Sequence, residues 1–506
     1  MSNTRTKNAM RNSMVALVSQ LLYIVVSFVC RTVFTKVLGT AYLGINGLFT
    51  NILTILSFAE LGIGSALVYR MYKPLASNNV QKVAQYVNLY KKVYNYIMLI
   101  ITVIGLAIVP FLQYLVDAPN VKENIILLYL LYLMDTITSY MFVYKKSVLI
   151  ADQKDYIVSI YTQIFNIIMN VLQMIILVLT HSFIIYCLIR TACNVLNNLV
   201  TSRYVDKHYP DIERAKVDKL SKNEIISLKE DVKGLMLRQV AAVSFDGTDN
   251  IIISKFIGIT TVGVISNYTL LTTTFNGIMN KIFSSITASI GNLTVEGDKD
   301  HIESVLKKLF FINMTLYGFL SVGLYTLLHD FVTKIWLNNQ FYLTQSVIFI
   351  MVLEVFLRGI HYPLFTTRNA SGKFYQLKWM NLVCAILNIV LDLIFVQFYG
   401  LIGVYIATLI AYVLHRYADI YVVYKYIFNK SVLSYYKMVI KSLIYMMLCS
   451  FGIQGLFNYI PTTGILMFIV KIIVVTIIYW IGIYILYRKT SEYKYFKKLI
   501  LGMLKL

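Results

Sequence analysis

Charge is scarce in this chain. Asp, Glu, Lys and Arg make up 14% of its 506 residues, against 58% hydrophobic. A soluble chain of this length can bury a large core, but its surface needs far more charge than that. Cysteine is scarce too. Cys30, Cys187, Cys193, Cys384 and Cys449 lie within or at the edges of apolar segments, with no C-x-x-C spacing and no adjacent histidine cluster. They read as buried small hydrophobes rather than as disulfides or zinc ligands. No G-x-x-x-x-G-K-[ST] loop occurs, which excludes ATP-driven transport by this chain alone. The loops on one side are very short, about five to fifteen residues, so no folded extracellular catalytic domain fits there and an enzyme is not expected.

What remains is apolar sequence in runs of twenty or more residues, with mean hydropathy +0.69. Such runs are long enough to cross a hydrocarbon layer as helix. Fourteen spans are expected, near 12–37, 42–71, 93–115, 124–148, 155–179, 182–204, 234–257, 263–289, 305–332, 343–366, 375–397, 401–427, 435–458 and 463–487. The first is too long for a signal-peptide core and reads as a retained helix.

The net charge of +22 follows the same alternation. Basic residues gather in every second loop, among them Lys73, Lys82, Lys91, Lys145, Lys154, Lys307, Arg368, Lys373, Lys430 and Lys437, while the intervening loops hold little beyond Lys36, Lys122 and Lys334. This positive-inside pattern puts both termini in the cytoplasm. The charge reports topology and attraction to anionic lipid, not a nucleic-acid partner.

The chain also matches itself at an offset of 219 positions. Lys36, Gly39 and Gly44 fall on Lys255, Gly258 and Gly263; Ala151, Lys154 and Tyr156 fall on Ala370, Lys373 and Tyr375; Tyr186 falls on Tyr405. The offset carries span one onto seven and span five onto eleven. Each copy therefore holds six crossings and inserts the same way up, a parallel repeat. The expected organisation is a six-helix lobe over 1–204, a cytoplasmic amphipathic linker over 205–233, a second six-helix lobe over 234–428, and two additional helices with a basic tail over 429–506. The extra pair packs on a lobe or lines a groove. The paired glycines read as helix termini and tight turns.

Ionisable groups at span centres cost roughly 2.5–3.5 kcal/mol each on insertion scales, so they normally face a cavity or a partner. Arg31, Glu60 and Lys281 form one set, with Glu60 and Lys281 near the centres of equivalent spans. They read as cations that hold a phosphate or diphosphate with a carboxylate counter-ion, or as an ion pair locking the lobes; Arg31 has snorkelling as a third reading. Asp246 and Asp249, Asn388 and Asp392, and Val404 and Thr408 form a second. The last two pairs are spaced i and i+4, each on one helical face. Oxygen ligands from three helices suit a hard cation; a proton relay through Asp392 and polar helix-to-helix glue are the competing readings. Glu354 and Arg358 read as an internally neutralised pair, and His415, Arg416 and Asp419 are left without a role.

Local segments carry a resemblance. Phe58-Ala-Glu-Leu-Gly-Ile-Gly-Ser-Ala-Leu67 in span two, and Thr248-Asp-Asn-Ile-Ile-Ile-Ser254 followed by Gly258 and Ser266-Asn-Tyr268, together with the two-lobe plan, resemble the Wzx-type oligosaccharidyl-lipid flippases of the MOP superfamily. The resemblance spans nearly the whole chain. It implies a flippase of undecaprenyl-diphosphate-linked oligosaccharide working by alternating access in the bacterial plasma membrane for capsule or exopolysaccharide synthesis. Polysaccharide polymerase and glycosyltransferases would be partners. The related lipid II flippase has a sodium site formed by an acid in span seven, an Asn-x-x-x-Asp pair in span eleven, and a carbonyl plus Thr in span twelve. Asp249, Asn388, Asp392, Val404 and Thr408 match it, with Asp246 as a substitute acid. No cofactor is implied beyond Na+ or H+ as coupling ion. The alternative is a cation-coupled multidrug exporter of the same superfamily.

Overall fold

A computed structural model describes residues 22–57, 60, 62–116, 121–215, 220–230, 232, 248–296, 299–370 and 378–503, with the backbone alone for 280–296, 369–370, 378 and 502–503. The described residues are helical nearly throughout, with no strand among them. Large apolar side chains face outward along the long helices, Leu179 at 72% and Leu466 at 79% exposure. That is an aggregation surface in water and a satisfied one in lipid, where the helix closes its own backbone hydrogen bonds. The chain is an all-α polytopic membrane protein.

Where the expected spans fall on described residues they are helical, but several are broken; 12–21 of span one and 234–247 of span seven lie outside the described residues. Span two divides into Thr40–Leu56 and Ile63–Ala76, with Gly62 at φ 81° between them. Span four is Ile125–Ser139 and Val143–Ala151, bent by 43°, and span ten is Gln345–Ile360 and Tyr362–Arg368, bent by 42°. Phe142 at the first bend falls on His361 at the second under the 219 offset. Spans eleven and twelve run as one helical element, Lys378–Val422, interrupted by Gly400 at φ 58° and ψ −136°. Asn381 meets His415, and Asn388 meets Thr408, so the element doubles back at that glycine as a hairpin. In the first copy the equivalent residue is His181, also left-handed at φ 54°, between Asp155–Thr180 and Phe183–His208. The repeat is written in backbone breaks as well as in side chains.

Two compact units divide at Gly263 and Val264. The boundary falls there because Asp249–Phe256 packs beside Thr40–Leu56, and Ser254 Oγ donates to the Leu115 carbonyl at 2.9 Å. Gly44 and Gly263 correct the reading of these glycines as turns. They lie inside the helices Thr40–Leu56 and Ile259–Glu296, where a Cβ on Gly44 would strike the Ile259 carbonyl and one on Gly263 would strike that of Thr40. Thr40 and Ile259 are themselves offset by 219, so the crossing is two-fold symmetric in sequence. Such close approach of backbones is how small residues hold helices together in lipid, where apolar burial gives no net gain.

The segment after Phe183–His208 holds Pro210–Arg214 and a short helix over 222–230. Ser221 and Glu224 form a reciprocal cap: Ser221 N–H donates to Glu224 Oε2 at 3.1 Å and Glu224 N–H donates to Ser221 Oγ at 3.4 Å. Lys82 reaches Glu224 at 2.5 Å and Arg70 Nη2 donates to Ser227 Oγ at 2.6 Å, fastening this helix to the first unit.

In the second unit the two additional helices, Leu433–Phe457 and Ile465–Tyr487, are built into the core. Tyr479, fully buried, donates to the Thr315 carbonyl at 3.0 Å, and Tyr445 donates to the Tyr479 carbonyl at 2.6 Å. Lys471 meets Asp330 at 2.9 Å, with Thr462 on the same carboxylate at 2.5 Å. The extra pair therefore packs on the lobe through Lys299–Asp330, the helix that Tyr479 and Lys471 grip.

The hydrogen bond from Lys82 holds the Glu224 carboxyl below its ordinary range. A depressed carboxylate contributes its stabilisation above the unfolded-state pKa and loses it as pH falls through the folded-state value. Amide exchange over 222–230 is expected to accelerate as pH drops below roughly 4, after correction for intrinsic rates; Glu224→Gln removes this acid step. A pH-independent profile in the native chain would contradict the docking.

Candidate functional site

Asn388 and Asp392 lie one turn apart on the descending arm of the Gly400 hairpin, and Val404 and Thr408 lie one turn apart on the returning arm. All four are buried. Asn388 Nδ2 donates to Asp392 Oδ2 at 3.0 Å and to Thr408 Oγ1 at 3.2 Å. Asn388 Oδ1 is buried and accepts no hydrogen bond. A buried amide oxygen left in this way costs about 1–3 kcal/mol unless another group meets it. One carboxylate with neutral amide and hydroxyl oxygens fits a singly charged hard cation. Among the described residues no three His, Cys, Asp or Glu side chains converge. Asp249 stands in the first turn of Asp249–Phe256, in the first unit. Asp246 lies outside the described residues.

Glu60 occupies the break in span two. Tyr94 donates to its carboxylate, and Tyr90 donates to Tyr94 at 3.2 Å. Its partners are thus tyrosines of its own unit, which the sequence reading did not foresee. Lys281 lies on the helix Ile259–Glu296, with its side chain outside the described atoms. Arg31, on the helix over 22–38, has Tyr132 and Tyr186 as neighbours. Beside them Arg190 stacks on Tyr132, its Cζ 4.1 Å from the ring centroid, and pairs with Asp135 at 2.9 Å. Arg31 and Arg190 thus both lie near Tyr132 in the first unit. Asn194 Nδ2 adds a hydrogen bond to Asp135 at 2.7 Å.

The second unit holds a larger charged cluster. Asp419, fully buried, accepts from Arg368 and from Arg416 Nη1, the latter at 2.5 Å. His415 lies 3.6 Å from the same carboxylate. Arg368 corrects the sequence reading. Counted there among loop cations, it is 4% exposed, at the end of Tyr362–Arg368, because Asp419 draws it inward. Glu354 and Arg358 do pair, at 2.6 Å. Arg358 and Arg416 both stack on Tyr412, with Cζ at 5.5 and 4.7 Å from its centroid, and both line a cavity of about 270 Å³ with Asn276, Tyr317, His361 and Tyr362.

A second cavity in this unit, about 470 Å³, is lined by Phe275, Met279, Leu316, Phe319, Phe468 and Ile472, with further aliphatic side chains and Thr476. It runs between Ile259–Glu296, Lys299–Asp330 and the added helix Ile465–Tyr487. Phe275 and Asn276 are neighbours in sequence and line different cavities, as do Leu316 and Tyr317. The arginine-lined cavity and the apolar groove thus lie back to back on one pair of helices.

No family model matches this chain, and no curated protein matches it. Solved structures do. The chain is similar to the lipid II flippase MurJ in an inward closed conformation, at 17% identity and TM-score 0.66, over 94% of this chain and 99% of that one. It is similar to an inward-facing multidrug-resistance MATE transporter of the MOP superfamily at 13% identity and TM-score 0.56, over 80% and 98%. At these identities the likeness is one of fold: this is the fold shared by those transporters.

Removing one partner of a buried ion pair typically costs about 3–5 kcal/mol. Asp419→Asn leaves Arg368 and Arg416 facing each other and is expected to lower the unfolding temperature in detergent sharply. Lys334→Gln, on a half-exposed lysine, is expected to leave it nearly unchanged. Equal, small effects would mean that Asp419 is not the hub described.

Proposed function

We propose that this chain is a flippase that carries a polyprenyl-diphosphate-linked oligosaccharide from the inner to the outer leaflet by alternating access, for surface polysaccharide synthesis in the plasma membrane. The observation that carries this reading is the back-to-back pair of cavities. The cargo is an amphiphile with an anionic, sugar-bearing head and a long hydrocarbon chain, and the second unit offers a cationic cavity and an apolar groove, Thr476 its one hydroxyl, across the same two helices. Hydrocarbon already in lipid gains little by moving onto protein carbon, so the groove supplies alignment through packing rather than affinity. Affinity then rests on the head, where guanidinium groups meet oxyanions through charge-assisted hydrogen bonds.

Arg31 in the first unit and Lys281 in the second are proposed as further cations for the head group, on the sequence reading. The fold likeness to a lipid II flippase supports a lipid-linked cargo. A multidrug exporter of cations is less well served by a cavity in which two arginines stand on one tyrosine. Asn388, Asp392, Thr408 and the Val404 carbonyl would hold the coupling ion, sodium by their oxygen-only chemistry; Asp249 and Asp246 belong to this set by the resemblance alone. Ion binding would bias one conformation over the other by its differential affinity.

Deleting the gene tests the cargo. Surface polymer should fall and lipid-linked intermediates should accumulate facing the cytoplasm. Normal polymer with no accumulation, in a strain without a second flippase, contradicts the reading. The ion is tested separately: Asp392→Ala should abolish the sodium dependence of transport while the chain still folds, and an unchanged dependence removes the ion site.

A further inference from the structure

The chain turns back on itself after its last span. Ile465–Tyr487 has 23 residues, about 35 Å of helix and enough to cross the hydrocarbon layer. Thr490 then starts a new helix, Ser491–Met503: its Oγ1 accepts from the Tyr493 N–H at 3.3 Å and its carbonyl accepts from the Lys494 N–H at 3.2 Å. This helix is fastened to the bundle by its aromatic side chains. Phe496, 5% exposed, stacks on Trp480 with ring centroids 6.2 Å apart and planes 2° apart, and meets Phe311 edge-on at 6.1 Å. Tyr493 meets Tyr484, an outward-facing residue of the last span, at 6.2 Å. Trp480 precedes the end of that span by seven residues, about 10 Å of helix. A helix whose middle residue reaches Trp480 lies at the depth of lipid head groups, not in bulk water.

Its outer face is basic. Arg488, Lys489, Lys494, Lys497 and Lys498 are all exposed, and Glu492 is the single acid between Arg488 and Met503. Lys494, Lys498 and Leu501 are spaced i, i+4 and i+7, and Lys497 lies one turn before Leu501, so the three lysines stand on the side away from Phe496. Tyr495 and Ile500, both exposed, border that side. Lys308, from Lys299–Asp330, stands over the Tyr495 ring at 5.3 Å from its centroid. We propose that Ser491–Met503, with Arg488, Lys489 and Lys308, is a docking site for the head groups of anionic phospholipid in the cytoplasmic leaflet. Charge complementarity selects the partner, since a surplus of exposed cations meets a negatively charged leaflet on the side to which the basic loops assign the cytoplasm. The apolar borders enter the acyl boundary while the ammonium groups snorkel to the phosphates. A soluble acidic protein would need this face clear of the bilayer, which the depth of Phe496 opposes. The inference stands apart from the flippase reading and uses neither of the two cavities.

The test is amide exchange over 491–503 in the full chain, in nanodiscs of phosphatidylcholine alone and of phosphatidylcholine with phosphatidylglycerol. At low salt, phosphatidylglycerol should slow exchange by about tenfold or more, at roughly fivefold per lysine engaged. High salt should remove most of that protection. K494Q/K497Q/K498Q should lose the response while exchanging as the native chain does in phosphatidylcholine, because Phe496 still anchors the helix. K494R/K497R/K498R should keep the response. The proposal is overturned if exchange is the same in both kinds of nanodisc, or if the glutamine variant responds as the native chain does. It is overturned equally if inorganic phosphate added to phosphatidylcholine nanodiscs reproduces the protection, since the ligand is then a free anion and not the lipid surface.

Discussion

Asp419 has no exposure to solvent and holds two guanidiniums, and this arrangement states the constraint under which the whole chain is built. In a hydrocarbon layer an ionised group is either paired, hydrated in a cavity, or absent. Four carboxylates in the spans are paired in this way: Asp135 with Arg190, Glu354 with Arg358, Asp330 with Lys471, and Asp419 with Arg368 and Arg416. Those that cross between helices, such as Asp135–Arg190 and Asp330–Lys471, tie helices that share no apolar driving force to associate.

The duplicated architecture gives the frame and its divergence gives the chemistry. Backbone breaks recur at equivalent positions, Gly39 and Gly258, Phe142 and His361, His181 and Gly400. The side chains at the last two pairs differ. The acid of the fourth span is matched in both copies, Asp135 and Glu354, yet its arginine comes from the sixth span in one and from its own helix in the other. The Asn388–Asp392–Thr408 set is confined to the second copy. Two helices added after the repeat complete the apolar groove, because Phe468 and Ile472 form a wall that the six-helix plan lacks.

Local features were legible in the sequence because they depend on near neighbours. Apolar run length reveals the helices, and the i, i+4 spacing reveals both Asn388–Asp392 and Glu354–Arg358, which bond as spaced. Features that depend on distant partners were not. Arg368 looks like one more basic loop residue until Asp419, 51 positions on, is seen beside it. Lys471 gives no hint of Asp330, 141 positions away. Gly44 and Gly263 read as turns because glycine favours turns, whereas their function is to let two backbones touch. Glu60 reads as a cavity acid, and its tyrosine partners became visible only once the broken helix brought Tyr94 to it.

The central claim is that one lobe binds both parts of an anionic, long-chain lipid and moves it between leaflets. It is tested most directly by reconstituting the purified chain into proteoliposomes with a polyprenyl-diphosphate oligosaccharide and following the fraction of headgroups accessible to an added glycosidase. The account predicts that the chain, with a sodium gradient imposed, raises the rate of headgroup exchange well above that of protein-free vesicles, and that E354Q/R358Q slows it. Exchange at the protein-free rate, in vesicles where the chain is folded and oriented, would contradict it.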